Sequence, residues 1–494
     1  MEKTIIHFHT GFQIGQVDPR IFGGFLEHMG RAVYQGIYDP GCAHADAEGF
    51  RSDTLGALAR LKMTAMRYPG GNFASGYHWQ DGIGPRNTRP VTRELAWQST
   101  ETNQIGTDEF IHLSQRMDWE PMLTVNLGTG TPEEARNWVE YCNSPAGTRY
   151  ASSRAANGNI QPYGVKLWCL GNEMDGPWQL GHVPAGQYAI RAQQAAKMMK
   201  DVDQTIELVA SGSCNISLPT YLEWDRQVLE YLGDQVDYIS MHRYVGNPDD
   251  DTPDYLAVTN SIDRQIEEMD TTCRYVQARG HHHKRAYLCF DEWNVWYKNH
   301  QMDGEGQVAP HLIEEVYNLE DALVVAGFLN SFIRHADVVK IANLAQIVNV
   351  IAPILTRGDE MLIQSIFYPF EMFSSRREGI SLRPNLQGPT YAGRTNGITP
   401  YIDSSAILAG DRLHIFLVNR SLTQSAPIEV HLAGRRMLGL ENGEILSGPD
   451  AKSANSFEQP DLIRSNLWRD VKVTDGYATL ELPVLSVAAL TLSI

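Results

Sequence analysis

The run Val165 to Glu173, VKLWCLGNE, is apolar over most of its length and then stops at Gly171, Asn172 and Glu173. Arg285 to Asn294, RAYLCFDEWN, has the same grammar: Tyr287, Leu288, Cys289 and Phe290, then Asp291, Glu292, Trp293 and Asn294. Short runs that are apolar throughout, rather than alternating, suit strands covered on both faces, as in a parallel sheet wrapped by helices. In a closed barrel of such strands the polar residues at the C-terminal ends share one mouth. The two runs therefore predict two strands that each end in a carboxylate, with Glu173 and Glu292 meeting there.

Working outward, six further runs of this kind precede residue 350: Ile21–Met29, Ala65–Gly71, Glu120–Gly128, Glu207–Ser213, Val236–Tyr244 and Val338–Ile347. Between the runs lie stretches with helical periodicity, Asp53–Leu61, Asp108–Met117, Pro132–Tyr141, Ala185–Val202, Tyr221–Leu232, Pro253–Ala278 and Glu314–His335. Strand followed by helix in this order is the signature of an α/β protein built as a (β/α)8 TIM barrel, expected over residues 19–378. Past Glu371–Pro384 the pattern changes to short alternating segments: Ile407–Val418, Ile428–Leu432, Val471–Val473, Ala478–Leu482 and Ala488–Ile494. They are separated by turn-forming clusters such as Glu441–Gly448. Residues 379–494 are expected to form a C-terminal antiparallel β-sandwich, jelly-roll-like. The alternation of Ile6 and Phe8 with His7 and His9 predicts that residues 1–18 add a strand to it.

Composition narrows the function. With 41 Lys and Arg against 59 Asp and Glu the net charge is −18, which argues against nucleic acid as a partner and makes a neutral substrate the easier expectation. The N-terminus, MEKTIIHFHTGFQIG, lacks the continuous apolar core of a secretory signal, and no apolar run is long enough to span a membrane. Cys42, Cys142, Cys169, Cys214, Cys273 and Cys289 are scattered without C-x-x-C spacing, as expected for reduced thiols of a cytoplasmic protein.

The polar residues at the ends of the runs form the candidate site: Glu27; Arg67 and Asn72; Asn172 and Glu173; His242 and Tyr244; Glu292; Gln346 and Asn349. Carboxylates, neutral hydrogen-bonding groups and one arginine fit a polyhydroxylated ligand. Two carboxylates flanking an acetal carbon are the minimum equipment of a glycosidase, one to protonate the leaving oxygen and one to attack carbon or activate water. His242 and Tyr244, two apart, lie on one side of their strand and are expected to face the mouth. Of the tryptophans near strand ends, Trp97, Trp178, Trp293 and Trp296, we expect Trp97 and Trp296 to wall the pocket, since ring faces suit the apolar faces of sugars. Gly70 and Gly71 fit either a plain turn or a loop that must approach the sugar closely.

Five motifs in order, GGFLEH (Gly23–His28), RYPGGNF (Arg67–Phe73), GNE (Gly171–Glu173), MHRY (Met241–Tyr244) and DEWN (Asp291–Asn294), resemble family 51 of the glycoside hydrolases, whose typical members are α-L-arabinofuranosidases. The resemblance runs over nearly the whole chain. It implies a retaining mechanism with Glu292 as nucleophile and Glu173 as general acid/base, and with Arg67 and Tyr244 as partners of the nucleophile. It further implies that Asn172 binds the sugar 2-hydroxyl and that Glu27, Asn72 and Gln346 hold the other furanose hydroxyls. It implies an exo-acting enzyme on arabino-oligosaccharides, arabinan or arabinoxylan fragments, assembled as a homo-oligomer, typically a hexamer; the polar residues at the run ends have no metal-site character, and no metal or cofactor is expected.

Other readings stay open on the sequence alone. The same machinery serves an endo-β-glucanase or a β-xylosidase, and a barrel that has lost catalysis could bind sugar only. His7 and His9 could hold a metal in a different class of barrel hydrolase, although no further ligands complete such a set. His281, His282 and His283 precede the seventh strand on the far face and read as a solvated loop. The loop Asn299–Pro310 is either a lid over the site or a surface excursion.

Overall fold

The computed structural model describes residues 1–494. All eight apolar runs are strands, and they close into a single parallel barrel: β1 (Gly23–Phe25), β2 (Ala65–Tyr68), β3 (Glu120–Val125), β4 (Leu167–Leu170), β5 (Glu207–Ala210), β6 (Tyr238–Val245), β7 (Tyr287–Val295) and β8 (Val339–Ala345). Each pairs with its sequence neighbour, and β8 pairs with β1 through Asn343 and Gly23 to complete the ring. The barrel interior is filled by Ala65, Met122, Leu167, Cys169, Val209, Tyr238, Cys289 and Ile341. A far larger apolar cluster fills the layer between strands and helices. Two covered faces are why these runs are apolar throughout.

The expected periodic stretches are helical with two differences, and Arg149–Ala156 and Phe367–Ser374 are helices beyond them. The stretch expected over Glu314–His335 becomes helical only at Leu319, because Asn318 caps it: its side chain accepts from the Asp321 N–H at 3.1 Å while Asp321 accepts from the Asn318 N–H at 3.0 Å. Residues 314–318 stay irregular, which leaves Ile313 free to reach the barrel mouth. The stretch Pro253–Ala278 divides into Thr252–Leu256 and Thr259–Gly280.

Beyond the barrel two sheets pack face to face. One carries Asn385–Gln387, Thr4–His9, Ala426–Ala433, Tyr477–Leu482 and Val471–Thr474, in that order. The other carries Gln13–Gln16, Ile380–Leu382, Ile402–Ala409, Arg412–Asn419, Ser486–Ser493, Gly439–Ser447 and Arg464–Leu467. Ile6, Phe8, Ile415, Ile428, Val430 and Leu490 are among the apolar side chains between them. The single alternating run Ile407–Val418 is a hairpin turned at Gly410 and Asp411. Glu441–Gly448, read as a turn cluster, is instead most of the strand Gly439–Ser447. Glu441, Asn442 and Ser447 face solvent, Glu444 pairs with buried Arg376 at 2.6 Å, and a bulge between Leu440 and Asn442 breaks the alternation that would have marked the strand. His7 lies in the first sheet, stacked on His431 with ring centroids 4.8 Å apart, so neither it nor His9 belongs to a barrel strand end. His281–His283 lie between the helix Thr259–Gly280 and the start of β7, at the barrel end opposite the mouth. No helix is long and apolar enough to cross a membrane.

Candidate active site

At the C-terminal ends of the strands the structure brings Glu173 and Glu292 together: one oxygen of each, with an imidazole nitrogen of His242, lie within 4.8 Å of one another. They arrive there differently. Glu173 lies just past the end of β4, in the left-handed region at φ 45°. Glu292 sits within β7, where one extra residue is inserted: His242 of β6 faces Glu292 although Ser240 faces Cys289, and a matching slip occurs against β8. This bulge lets two successive carboxylates, Asp291 and Glu292, turn toward the barrel axis. It sends Trp293 outward against Phe328 and Phe332, 4.9 and 5.2 Å between centroids, so Trp293 is core.

Glu292 is held from two sides. Its Oε1 accepts from Arg67 Nη1 at 2.7 Å and its Oε2 from the Tyr244 hydroxyl at 2.8 Å. Arg67, fully buried over the Phe25 ring, also donates to Asn172 Oδ1 at 2.6 Å, and Asn172 donates to Asn72 Oδ1 at 3.1 Å. Glu173 shares Oε1 with His242 Nδ1 at 2.9 Å and accepts on Oε2 from the indole N–H of Trp178 at 2.7 Å. Behind both, Asp291 Oδ2 lies 3.3 Å from Arg67 and Oδ1 lies 3.2 Å from His242 Nε2. Gly71 must be glycine for space: a Cβ there would stand 2.5 Å from Glu292 Oε1 and 3.3 Å from the Asn172 amide.

The carboxylates open into a cavity of about 330 Å³, at the small end of small-molecule sites. Eight of the twelve residues singled out from the sequence line it: Glu27, Asn72, Trp97, Glu173, Tyr244, Glu292, Trp296 and Gln346. Four do not. Arg67 and His242 are buried beneath the carboxylates and bonded to them, and buried Asn172 bridges Arg67 and Asn72, so His242 does not face the mouth as expected. Asn349 is a loop brace, bonded to Arg31 and Thr356. Sequence reasoning set aside Trp178 and missed Asp291, Cys214, Asn215 and Met302. The pair of acids in DEWN was the one signal that could have found Asp291, and the bulge that turns both inward has no local sequence mark. Met302 belongs to the loop 299–310, which is tied down by hydrogen bonds from Gly304 N–H to Trp97 O and from Gly306 N–H to Gln98 O.

On the opposite wall Glu27 accepts from the Phe73 N–H at 2.9 Å and the Trp97 indole N–H at 3.1 Å, while Gln346 Oε1 accepts from the Glu27 N–H at 2.9 Å. Trp296 crosses the Tyr244 ring edge-on at 5.8 Å.

Burial, and then the charge of Glu292, push the Glu27 carboxyl up to about 8. Burial also raises Glu292, with His242 and Arg67 pulling the other way. For His242 burial opposes the charged form, yet Glu292 and Asp291 beside it hold the imidazole well above its ordinary range. Asp291 is likewise opposed by burial but kept below the carboxylate range by Arg67 and His242. Glu27, Glu292, His242 and Asp291 thus lie in one buried cluster in which the charge of each acts on its neighbours, so that their titrations are linked. Such a cluster can deliver and take back a proton at one carboxyl while a second, closely flanking carboxyl attacks.

Comparison with known proteins agrees over the whole length. The family model for the α-L-arabinofuranosidase 1 domain matches residues 57–262, and that for the α-L-arabinofuranosidase C-terminal domain matches residues 291–486. The chain is 44% identical over 469 residues, 94% of each partner, to intracellular exo-α-(1→5)-L-arabinofuranosidase 1 of Bacillus subtilis. It is 40% identical to an exo-α-(1→6)-L-arabinofuranosidase of Bifidobacterium longum, over 93% of this chain and 91% of the relative. A solved family 51 α-L-arabinofuranosidase of Bifidobacterium longum superposes with a TM-score of 0.95 at 35% identity, covering 99% of both chains.

Proposed function

From the chain's membership of the family 51 α-L-arabinofuranosidases, which makes it an exo-acting α-L-arabinofuranosidase, we propose that it works by double displacement with Glu292 as nucleophile and Glu173 as general acid/base. The observation that carries the mechanism is that an oxygen of each carboxyl lies within 4.8 Å of the other. Retaining pairs stand about 5–5.5 Å apart, whereas inverting pairs need roughly 6.5–9.5 Å to admit water between base and sugar.

In the first half-reaction Glu173 protonates the glycosidic oxygen as Glu292 attacks the anomeric carbon, forming a glycosyl ester. Arg67 and Tyr244 bond both Glu292 oxygens and so keep the carboxylate ionised and aimed. Glu173, returned to its carboxylate form, then takes a proton from water, which attacks the same carbon and frees the sugar. Asn172 has spent its carbonyl on Arg67 and one amide hydrogen on Asn72; the second amide hydrogen is available to the 2-hydroxyl. Glu27, Asn72 and Gln346 take the remaining hydroxyls, with Trp97 and Trp296 as walls. The small cavity fits one terminal furanose, which supports exo attack.

The substrates are short α-linked arabino-oligosaccharides or side chains cleaved from arabinan and arabinoxylan. The relatives' names include both α-(1→5) and α-(1→6) linkages, and several carry the word intracellular, which supports action inside the cell. We further propose residues 19–378 as the catalytic unit and residues 379–494 with 1–18 as the supporting sandwich, in a homo-oligomer, a hexamer by family resemblance. Initial rates on aryl α-L-arabinofuranoside, β-D-xyloside, β-D-glucoside and β-D-galactofuranoside, each with and without chelator, test the reading. Fast, chelator-insensitive release from the arabinofuranoside is the expected result. Cleavage of a long glucan with no release from the aryl substrates would replace exo attack by endo attack.

A further inference from the structure

We propose that Asp291 is a positioning residue for both catalytic carboxyls, acting through Arg67 and His242, and that its main effect falls on Glu173 as base in the second half-reaction. This rests on the roles assigned above to Glu173 and Glu292.

Asp291 does not line the cavity and is 1% exposed; two residues on from Cys289 of the barrel interior, it points toward the barrel axis, and the β7 bulge that follows brings Glu292 in beside it. There it is one of two anions, with Glu292, that both cations of the site share, and the one that takes no part in bond making. Its Oδ2 is 3.3 Å from Arg67 Nη2, its Oδ1 is 3.2 Å from His242 Nε2, and the Ser240 hydroxyl donates to Oδ1. Each cation then goes on to a catalytic carboxyl. Arg67 Nη1 reaches Glu292 at 2.7 Å, while His242 Nδ1 reaches Glu173 at 2.9 Å and stands 3.5 Å from Glu292.

The arrangement matters most in the covalent intermediate. Once Glu292 is an ester it carries no charge, so the buried cations have lost one of their anions. Asp291 remains, and it keeps the imidazole protonated at the stage when Glu173 must be anionic to accept a proton from water. The groups facing His242 are Glu173 from the end of β4, Asp291 and Glu292 from β7, Arg67 from β2, Tyr244 on its own strand, and Asp175, with the Cys214 thiol beside it, from the loops beyond β4 and β5. Apart from Glu173 itself and Asp175, whose carboxyl burial raises to about 6, Asp291 is the one carboxylate left near the ring after glycosylation. If Asp291 becomes Asn, a neutral amide faces Nε2, the ring gives up its charge, and Glu173 loses a charged donor. The direct repulsion removed with Asp291 acts over a longer path than that 2.9 Å contact, so the loss of the imidazolium decides the sign.

The test compares the full-length enzyme with Asp291→Asn and Ser240→Ala on aryl arabinofuranosides bearing good leaving groups, for which the second half-reaction limits turnover. For Asp291→Asn we expect kcat to fall by about tenfold or more, KM to fall with it, the glycosyl-enzyme to accumulate in intact-mass spectra, and the acid limb of kcat to move to higher pH. Ser240→Ala, which removes only a hydroxyl from Asp291, moves the same limb in the same direction by less, and carries the test if the Asn variant does not fold. Equal losses in kcat and kcat/KM with an unshifted pH profile and no accumulation would reduce Asp291 to a packing role and overturn the proposal. Peptide mapping of the trapped wild-type adduct separates the two layers of inference. An adduct away from Glu292 refutes the assigned nucleophile, whereas an adduct on Glu292 with an unmoved Asp291→Asn profile refutes this proposal alone.

Discussion

Glu292 and Glu173 are the same side chain at the ends of two strands of one barrel, and their surroundings divide them. Glu292 lies inside β7 with its side chain 8% exposed, and each oxygen is held by a donor fixed on another strand, Arg67 on β2 and Tyr244 on β6. Glu173 lies past the end of β4, in a left-handed backbone conformation, and one of its two partners is the indole of Trp178, which is 52% exposed on the mouth. A nucleophile must stay ionised and aimed at one atom, so it profits from rigid donors on both oxygens. A group that gives and recovers a proton in each cycle needs access to the leaving oxygen and then to water, which a rim position provides. Environment assigns the roles, as with other carboxylate pairs.

Mutation can break this contrast. Glu292→Ala removes the attacking atom, and kcat should fall by roughly four orders of magnitude or more on every substrate, whatever its leaving group. Glu173→Ala should cost about 10²–10⁴-fold on substrates with poor leaving groups and far less on activated aryl glycosides in the first step, with azide restoring turnover of the latter. Rates across a leaving-group series check this; a uniform loss would erase the distinction between the two glutamates. Tyr244→Phe removes one of the two fixed donors to Glu292. Its hydrogen bond to a charged group is worth about 1.5–3 kcal/mol, so kcat/KM should fall roughly ten- to a hundredfold while the fold persists.

The smallest expected effect is on stability. Glu27 faces Glu292 across the cavity, and burial raises its carboxyl to about 8 from an ordinary value near 4.5. The folded protein therefore holds a proton there that the unfolded chain has already lost, and stability contributed by this group is present below about 4.5 and disappears as pH rises through about 8. Glu27→Gln should flatten the fall of Tm over that interval, as thermal melts across the pH range would show, while weakening turnover through the lost hydroxyl contact. An unchanged slope would place the titration elsewhere in the cluster.

The barrel and the sandwich also differ in how openly the sequence declares them. Each barrel strand is an apolar run covered on both faces, so β4 and β7 stand out against polar loops. Sandwich strands show one face to solvent, and Gly439–Ser447, with a bulge and outward Glu441 and Asn442, is locally indistinguishable from a turn. Within the site, Glu27, Asn72, Tyr244, Glu292 and Gln346 could be named because strand ends are visible in the chain. The depth of each side chain could not: His242 and Asn172 lie beneath the carboxylates, and Trp178 lies on the rim.

The sequence by itself determined the strand and helix series, the closed parallel barrel and the presence of a carboxylate at the ends of β4 and β7, because these depend on periodicity and on what a strand must bury among its near neighbours. Only the tertiary structure decided that Glu292 joins Asp291 inside the barrel while Trp293 leaves it, that one arginine and one histidine bind all three acids, and that the site is a small cavity open at the barrel mouth. Those outcomes depend on the pairing of β7 with β6 and β8, where one inserted residue reverses which side chains face inward, and on contacts between residues more than a hundred positions apart.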